Sequence, residues 1–146
     1  KIQFVIVMPI LDTDYFKIKK MFINKNFKKK QVILLSAIKS EELPSMYKNS
    51  GLYIFSSYCE VFGFTSLEAM SQKCPVMISR NSSLPEINGK AAMYFNSDNF
   101  FEIKNKLKKI IKNNKVRKNL IKKGSIHCKK FTWKQNIHKT LKELYL

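Results

Sequence analysis

Short apolar runs recur along the chain, and polar or charged segments separate them. The runs are rich in β-branched and aromatic residues, which is typical of strands that a parallel sheet covers on both faces. Pro9 ends the first run, because proline has no amide to donate to a ladder. The pattern predicts strands over Ile2–Met8, Gln31–Ser36, Tyr53–Phe55, Pro75–Ser79 and Ala91–Phe95.

Helices are predicted between the strands and after the last one, except that Ser82–Glu86, before the last strand, is predicted as a loop. Tyr15–Asn24 is a plausible helix with Thr13 or Asp14 as its cap, and Glu41–Lys48 is a short helix with Ser40 as its cap. After Asn99 an apolar stripe recurs at helical spacing. Its members are Phe100, Ile103, Leu107, Ile110 and Ile111.

The C-terminal tail is also predicted to be helical. Helix resumes at Val116 and is broken or bent near Gly124, and Thr132-x-x-Gln135 has the form of a cap for a last helix through Leu144. This basic amphipathic tail either packs on the core with a solvated lysine face, which we favour, or lies on an anionic membrane surface.

Alternating strands and helices imply right-handed crossovers, so the fold class is α/β with a Rossmann-like doubly wound parallel sheet. We draw a single domain over residues 1–146, because the sequence contains no repeat, low-complexity tract or linker. In such a sheet, ligands lie beyond the carboxyl ends of the strands.

The candidate chemistry lies at one of these ends, where Glu60 follows the strand at Tyr53. Thr65-x-x-Glu68 has the capping-box form, which predicts a helix from about Thr65 and places Glu68 in its first turn. Gly63 can adopt backbone angles closed to other residues, so that nearby amides turn toward a ligand. A helix N-terminus with free amides favours phosphate, and carboxylates accept hydrogen bonds from sugar hydroxyls. The alternative is an ordinary βα unit in which Glu68 only caps the helix.

Several motifs in this region carry a family resemblance. They are Glu60-x7-Glu68, Phe62-Gly63, Leu67-Glu68-Ala69-Met70, Cys74-Pro75-Val76, Ser82-Ser83-Leu84-Pro85-Glu86 and Gly89-Lys90-Ala91-Ala92. Glu41 to Tyr47 and Phe131-Thr132-Trp133 extend the match in both directions. In this order they resemble the nucleotide-sugar-binding domain of retaining GT-B glycosyltransferases of family 4.

The resemblance implies roles for individual residues. Glu60 is the catalytic candidate and faces the transferred sugar, Phe62, Gly63 and Phe64 bind the diphosphate, and Glu68 binds the ribose. The loop at Ala37 and Ile38 lies against the nucleotide base. The resemblance also implies hexosyl transfer to a saccharide or lipid-linked acceptor in polysaccharide biosynthesis, with a nucleotide sugar as partner, no cofactor and no essential metal.

The chain also departs from the family pattern. The Arg and Lys that bind the diphosphate in the family lie upstream of Lys1, and so does the N-terminal acceptor domain. The chain is therefore expected to be truncated at its N-terminus and inactive alone. Val61 stands where the family has Gly, and Lys73 occupies the usual Gly at the helix C-terminus, which predicts a left-handed non-Gly residue. The alternative is a non-catalytic GT-B-like remnant.

The formal charge of +18 favours polyanionic partners and leaves a third alternative, a basic module that binds nucleic acid or a membrane surface. Nucleic acid is disfavoured, because the basic residues spread along helical faces without a zinc-finger or aromatic RNA-binding signature. The lysines are instead expected to form solvated helix faces.

The remaining candidate groups point to ordinary roles. Cys59, Cys74 and Cys128 suggest neither a disulfide framework nor a zinc site, and His127 and His138 are expected at the surface or in caps. Asp12-Thr13-Asp14 resembles a metal motif, but it precedes a helix and fits a cap better. The odd number of cysteines without close spacing fits a reducing cytoplasm, so we expect a cytoplasmic protein, with a peripheral position at the inner membrane face as the alternative. The sequence has no apolar segment of the roughly 20 residues that a membrane span needs.

Overall fold

The computed structural model describes residues 2–7, 17–22 and 31–144. The chain forms two compact units, Lys1–Leu43 and Pro44–Leu146. Each unit contains a parallel sheet of its own. The single domain over residues 1–146 therefore stays a prediction.

The first unit contains strands β1 (Phe4–Val7) and β2 (Val32–Leu35). They pair in parallel from Phe4 opposite Val32 to Val7 opposite Leu35, and residues 17–22 are helical (α1). Both strands are shorter than predicted. The prediction that β1 is covered on both faces is wrong, because Val5 and Val7 are 44% and 47% exposed. The predicted cap at Thr13 or Asp14, the motif at Asp12 and the position of Pro9 lie outside the described residues.

The second unit carries the larger sheet and most of the helices. Its elements are α2 (Leu43–Asn49, with Leu43 in the first unit), β3 (Tyr53–Phe55), α3 (Phe64–Ser71), β4 (Val76–Ser79), α4 (Leu84–Asn88), a 3₁₀ turn (Gly89–Ala91), β5 (Met93–Phe95), α5 (Phe100–Lys112), α6 (Asn114–His127), a second 3₁₀ turn (Cys128–Lys130) and α7 (Trp133–Leu144). The sheet order is β3-β4-β5, with all pairs parallel. Every residue of the central strand β4 is buried, as a strand covered on both faces requires.

The core of this unit lies between the sheet and helices α5 and α6. Met77, Phe95, Ile110 and Leu120 form its buried centre. Three members of the apolar stripe predicted on α5 face the core. Ile110 is buried, and Ile103 and Leu107 pack against the same cluster. The other members of the stripe, Phe100 and Ile111, are exposed.

Further predicted boundaries are wrong. The last strand, β5, begins at Met93 rather than Ala91, because Ala91 belongs to the preceding 3₁₀ turn. α2 begins at Leu43 rather than Glu41, because residues 41–42 form a turn in which the amide of Glu42 donates to the carbonyl of Lys39. Residues Ser82–Glu86, predicted as a loop, run into the short helix α4, in which Pro85 takes an early position that needs no amide donor.

Gly124 was predicted to break or bend a helix, and the predicted break is wrong. α6 runs continuously from Asn114 to His127. A Cβ atom added at Gly124 would lie 2.9 Å from Cγ of Met70 on α3. The glycine therefore allows α6 and α3 to approach closely. From sequence alone, a glycine in this role looks the same as a glycine that breaks a helix.

Helix α7 is capped as predicted but is not packed as we favoured. The hydroxyl of Thr132 accepts a hydrogen bond from the amide of Gln135 at 3.3 Å. No described residue of α7 is buried, and its apolar side chains at Trp133, Ile137 and Leu144 are exposed. Within the described residues, no helix is long and apolar enough to cross a membrane.

Candidate functional site

The turn before α3 depends on Gly63. This residue is the N-cap of the helix and has a left-handed backbone, with φ 77° and ψ 45°. A Cβ atom here would lie 2.7 Å from Cδ2 of Leu84 and 3.3 Å from Cγ of Glu60. Both the backbone angles and the lack of space require glycine, as the sequence suggested for the backbone angles.

The turn contains backbone amides without a hydrogen-bond partner. Among the described residues, the backbone amides of Gly63, Phe64 and Thr65 have no hydrogen-bond acceptor. The first amides of any helix lack an intrahelical partner, and the helix dipole adds partial positive charge there. The turn therefore provides the elements of an anion-binding site.

The capping box predicted from Thr65 and Glu68 is not formed. α3 begins at Phe64, so Gly63 rather than Thr65 is the N-cap, and no side chain caps the helix. The hydroxyl of Thr65 instead accepts a hydrogen bond from Tyr53 at 2.9 Å. The exposed Glu68 accepts one from Tyr47 at 3.4 Å, so a neighbouring phenol positions its carboxylate.

Tyr53 lies near both glutamates of the motif. The pKa of Tyr53 is raised to about 12, mainly by burial. The negative charges of Glu68 and Glu60 also raise it, whereas the hydrogen bond that Tyr53 donates to Thr65 lowers it. Tyr47 packs edge-on against Tyr53, with ring centroids 5.5 Å apart. The charges of both carboxylates thus act on the same phenol, although Glu60 is in a loop and Glu68 is in a helix. Tyr47 and Tyr53 were not assigned to the site from sequence.

Two serines hold the loop that carries Glu60. The hydroxyls of Ser82 and Ser83 each donate to the backbone carbonyl of Glu60 at 2.8 Å. Ser82 has a φ of 53°, a conformation that costs free energy in a residue with a side chain. The loop and the start of α4 therefore fix the position of Glu60. This role was not assigned from sequence, where the one available signal is the pair of consecutive serines before Leu84-Pro85.

An aromatic cluster supports the turn from the other side. The rings of Phe62 and Phe64 stack with centroids 4.2 Å apart, and Phe62 meets the edge of Phe131 at 6.1 Å. Phe131 contacts His127, whose Nε2 lies 2.7 Å from the carbonyl oxygen of Ile87 at the end of α4. The cluster joins the segment before α7 to the turn.

The remaining candidate residues are described by their own surroundings. Ala37 and Ile38 are in the loop after β2, in the first unit, where Ala37 is exposed and Ile38 is partly buried. Cys59 is exposed, whereas burial raises the pKa of the Cys74 thiol to about 11. The described residues contain no cluster of three or more potential metal ligands.

The profile of the family described as glycosyl transferases group 1 matches residues 1–127. The chain belongs to this family. It is 28% identical over 107 residues to O-antigen chain mannosyltransferase B of Escherichia coli, covering 73% of the chain and 28% of that protein. It is 24% identical over 128 residues to sulfoquinovosyl transferase SQD2 of Arabidopsis thaliana, covering 84% of the chain and 25% of that protein. This group 1 chain thus spans roughly a quarter of the length of these two relatives.

Solved structures agree with the family. The C-terminal domain of a group 1 glycosyl transferase from Francisella tularensis matches with a TM-score of 0.67 and 28% identity, over 80% of the chain and 61% of that domain. Sucrose-phosphate synthase from Thermosynechococcus elongatus matches with a TM-score of 0.80 at 18% identity, over 98% of the chain and 38% of that protein, which shows the fold alone. The predicted fold class, the Rossmann-like C-terminal half of a GT-B fold, is confirmed.

Proposed function

We propose that this group 1 chain is the donor-binding part of a retaining glycosyltransferase. The enzyme transfers a hexose from a nucleotide diphosphate sugar to a saccharide or lipid-linked acceptor. The observation that carries the proposal is the Gly63 turn, which has three unpartnered amides and two nearby glutamates. Glu60 packs against Gly63, and Glu68 lies on the helix that the turn begins. An anion-binding helix end flanked by hydrogen-bond acceptors matches a diphosphate flanked by sugar hydroxyls.

Each residue has a part in this proposal. The amides of Gly63 and Phe64 bind the diphosphate. The carboxylate of Glu68 accepts hydrogen bonds from the ribose hydroxyls, and Tyr47 orients it. Glu60 faces the transferred sugar on a loop that Ser82 and Ser83 hold in place. The backbone at Ala37 and Ile38 contacts the base.

The chemistry needs positioning more than reactive side chains. When the bond between the anomeric carbon and the diphosphate breaks, negative charge grows on the leaving phosphate. Amides already aimed at that charge stabilise it without reorganisation. Glu60 holds the sugar while the acceptor hydroxyl attacks the anomeric carbon from the face that the phosphate leaves. No metal is required for these roles.

The 146-residue chain is expected to bind the donor weakly and not to transfer sugar alone. Its matches span roughly a quarter of the relatives' length, and the resemblance assigns the acceptor to another domain. Transfer of sugar to an added acceptor by the isolated chain would contradict this expectation without affecting the proposed donor site.

The test is a titration of the chain with UDP-, GDP- and ADP-sugars, followed through amide chemical shifts. One nucleotide is expected to shift the resonances between Gly63 and Glu68. Glu68→Gln should weaken its binding about tenfold or more, since a charged hydrogen bond contributes roughly 1.5–3 kcal/mol. Glu143→Gln is the matched control, because Glu143 is an exposed carboxylate on α7.

Two results would contradict the donor site. One is a folded chain in which no nucleotide sugar shifts these amides. The other is an equal loss of affinity in the Glu68 and Glu143 variants, which would indicate a general effect of charge rather than contacts with the ribose.

A further inference from the structure

A cleft of about 420 Å³ lies beside the edge strand β5, between helices α5 and α6. Five cationic side chains and no acidic side chain line it. The cations are Arg80, Lys90, Lys106, Lys109 and Lys123. None of the lining residues belongs to the segment from Tyr53 to Glu68, so the cleft is separate from the proposed donor site.

Only part of this positive charge is compensated. Glu102 forms ion pairs with Lys106 at 2.5 Å and with Arg80 at 3.6 Å, and the ammonium of Lys106 also donates to the carbonyl of Tyr94. The hydrogen bond from Lys106 contributes most to lowering the pKa of Glu102. Lys106 is therefore committed to the fold and holds α5 against β5.

Three lysines remain uncompensated. Across the described ranges, Lys90, Lys109 and Lys123 have no carboxylate within 4.0 Å. They come from three separate elements, namely the 3₁₀ turn before β5, α5 and α6. Like charges brought to one cleft repel one another, which opposes folding. The three side chains are exposed, so water screens part of this repulsion, and a bound anion would reduce what remains.

The floor of the cleft is apolar. It is formed by Ala92, Met93, Val116 and Leu120, and two of these, Ala92 and Leu120, are buried. An apolar surface next to the lysines lowers the local dielectric and strengthens their attraction for an anion. The volume also lies within the range of small-ligand sites, which is about 300–1,000 Å³.

We propose that this cleft binds a phosphate dianion, as carried by a phosphate monoester. A dianion with three terminal oxygens accepts from several ammonium groups at once, and Arg80 adds a planar guanidinium at the rim. A single carboxylate offers half the charge and fewer acceptors. The inference rests on the residues of the cleft and not on the proposed donor site.

The test uses the whole chain and two probes, inorganic phosphate and dihexanoyl phosphatidic acid. Binding is measured by calorimetry and by amide shifts at about 0.15 M salt, where the Debye length is about 8 Å and the diffuse field of the chain is screened. Lys109→Gln with Lys123→Gln is the cleft variant. Lys104→Gln with Lys122→Gln is the control, because it removes the same charge from the same two helices outside the cleft.

The cleft variant is expected to lose affinity about tenfold or more for both probes, while the control changes less than about twofold. Tighter binding of the phosphatidic acid than of inorganic phosphate would identify a lipid headgroup as the source. Equal binding of the two probes would identify free phosphate. Equal weakening in both variants, or no saturable binding of either probe, would overturn the proposal.

Discussion

The two ends of α3 both require a left-handed residue, but they meet this requirement differently. At the N-terminal end the residue is Gly63, with φ 77°, and at the C-terminal end it is Lys73, with φ 60°. Glycine adopts this conformation readily, whereas a residue with a Cβ pays roughly 1–2 kcal/mol for it.

The surroundings explain the difference. At Gly63 the space for a Cβ is already filled by Leu84 and Glu60. At the other end, the amide of Cys74 donates to the carbonyl of Ala69 and the amide of Lys73 to that of Met70, which is the Schellman termination of a helix. The side chain of Lys73 is exposed, so the only penalty at this position is the strain of its positive φ. Packing therefore requires glycine at the end of α3 that carries the candidate site, whereas the opposite end accepts a strained lysine.

The largest effect is expected for Gly63→Ala, which tests whether glycine is required at the N-terminal end of α3. The new methyl group would meet Leu84 and Glu60 and would hold alanine at a positive φ. We expect a loss of about 3 kcal/mol in the free energy of unfolding, from backbone strain plus overpacking. Loss of nucleotide-sugar binding should accompany it, because the turn that presents the amides is displaced. Urea denaturation and the titration described above measure the two effects.

Gly51→Ala is the matched control for this substitution. Gly51 has no positive φ, and an added Cβ would have nothing within 4 Å. Its effect on unfolding is expected within about 0.5 kcal/mol. If Gly63→Ala were as mild as Gly51→Ala, the turn would not be the constrained feature that the site depends on.

Alkaline pH should weaken the N-terminal end of α3 through Tyr53. Its pKa is raised to about 12 from an ordinary value of 10.0, mainly by burial, so the folded state holds the proton more tightly than the unfolded state. The resulting stabilisation is fully present below pH 10 and is lost as the pH rises through 12. We expect a contribution of about 2 kcal/mol, measured as the free energy of unfolding against pH.

Tyr53→Phe sharpens this prediction. The variant loses the hydrogen bond to Thr65 at every pH, so it should be less stable than the parent near neutral pH. Because phenylalanine has no proton to lose, the gap between the two proteins should shrink between pH 10 and 12. A gap that stays constant over this range would show that Tyr53 ionises as it does in the unfolded chain.

The smallest expected effect is at the C-terminal end of α3. Lys73→Gly relieves the strained φ, and we expect a gain of about 1 kcal/mol in the free energy of unfolding. Donor affinity should be unchanged, since the proposed site is at the other end of the helix. A lower denaturation midpoint for Lys73→Gly would mean that contacts of the lysine side chain stabilise the fold by more than the backbone strain destabilises it.

Features set by local sequence were the ones predicted correctly. The strand at Tyr53, the need for glycine at position 63 and the left-handed Lys73 follow from neighbouring residues and backbone preferences. The cap at Thr132 is similarly local. Each depends on a few consecutive residues, which a single sequence displays directly.

Features set by distant contacts were missed. The bond from Tyr47 to Glu68 and the serine bonds to Glu60 join residues far apart in sequence. Thr65 fitted a capping box by spacing, but the N-cap lies two residues earlier, at Gly63, and the hydroxyl of Thr65 accepts from the distant Tyr53. The residue roles themselves stay predictions, because they concern a ligand and not the fold.

The exposure of α7 has a practical consequence for spectroscopy. Trp133 is the single tryptophan of the sequence, and it is 82% exposed at the start of that helix. Its fluorescence therefore reports on the surroundings of α7 and hardly at all on the core around Met77 and Phe95. A blue shift of the emission would register anything that covers the apolar side of α7, whereas unfolding of the core has to be followed by another signal, such as circular dichroism.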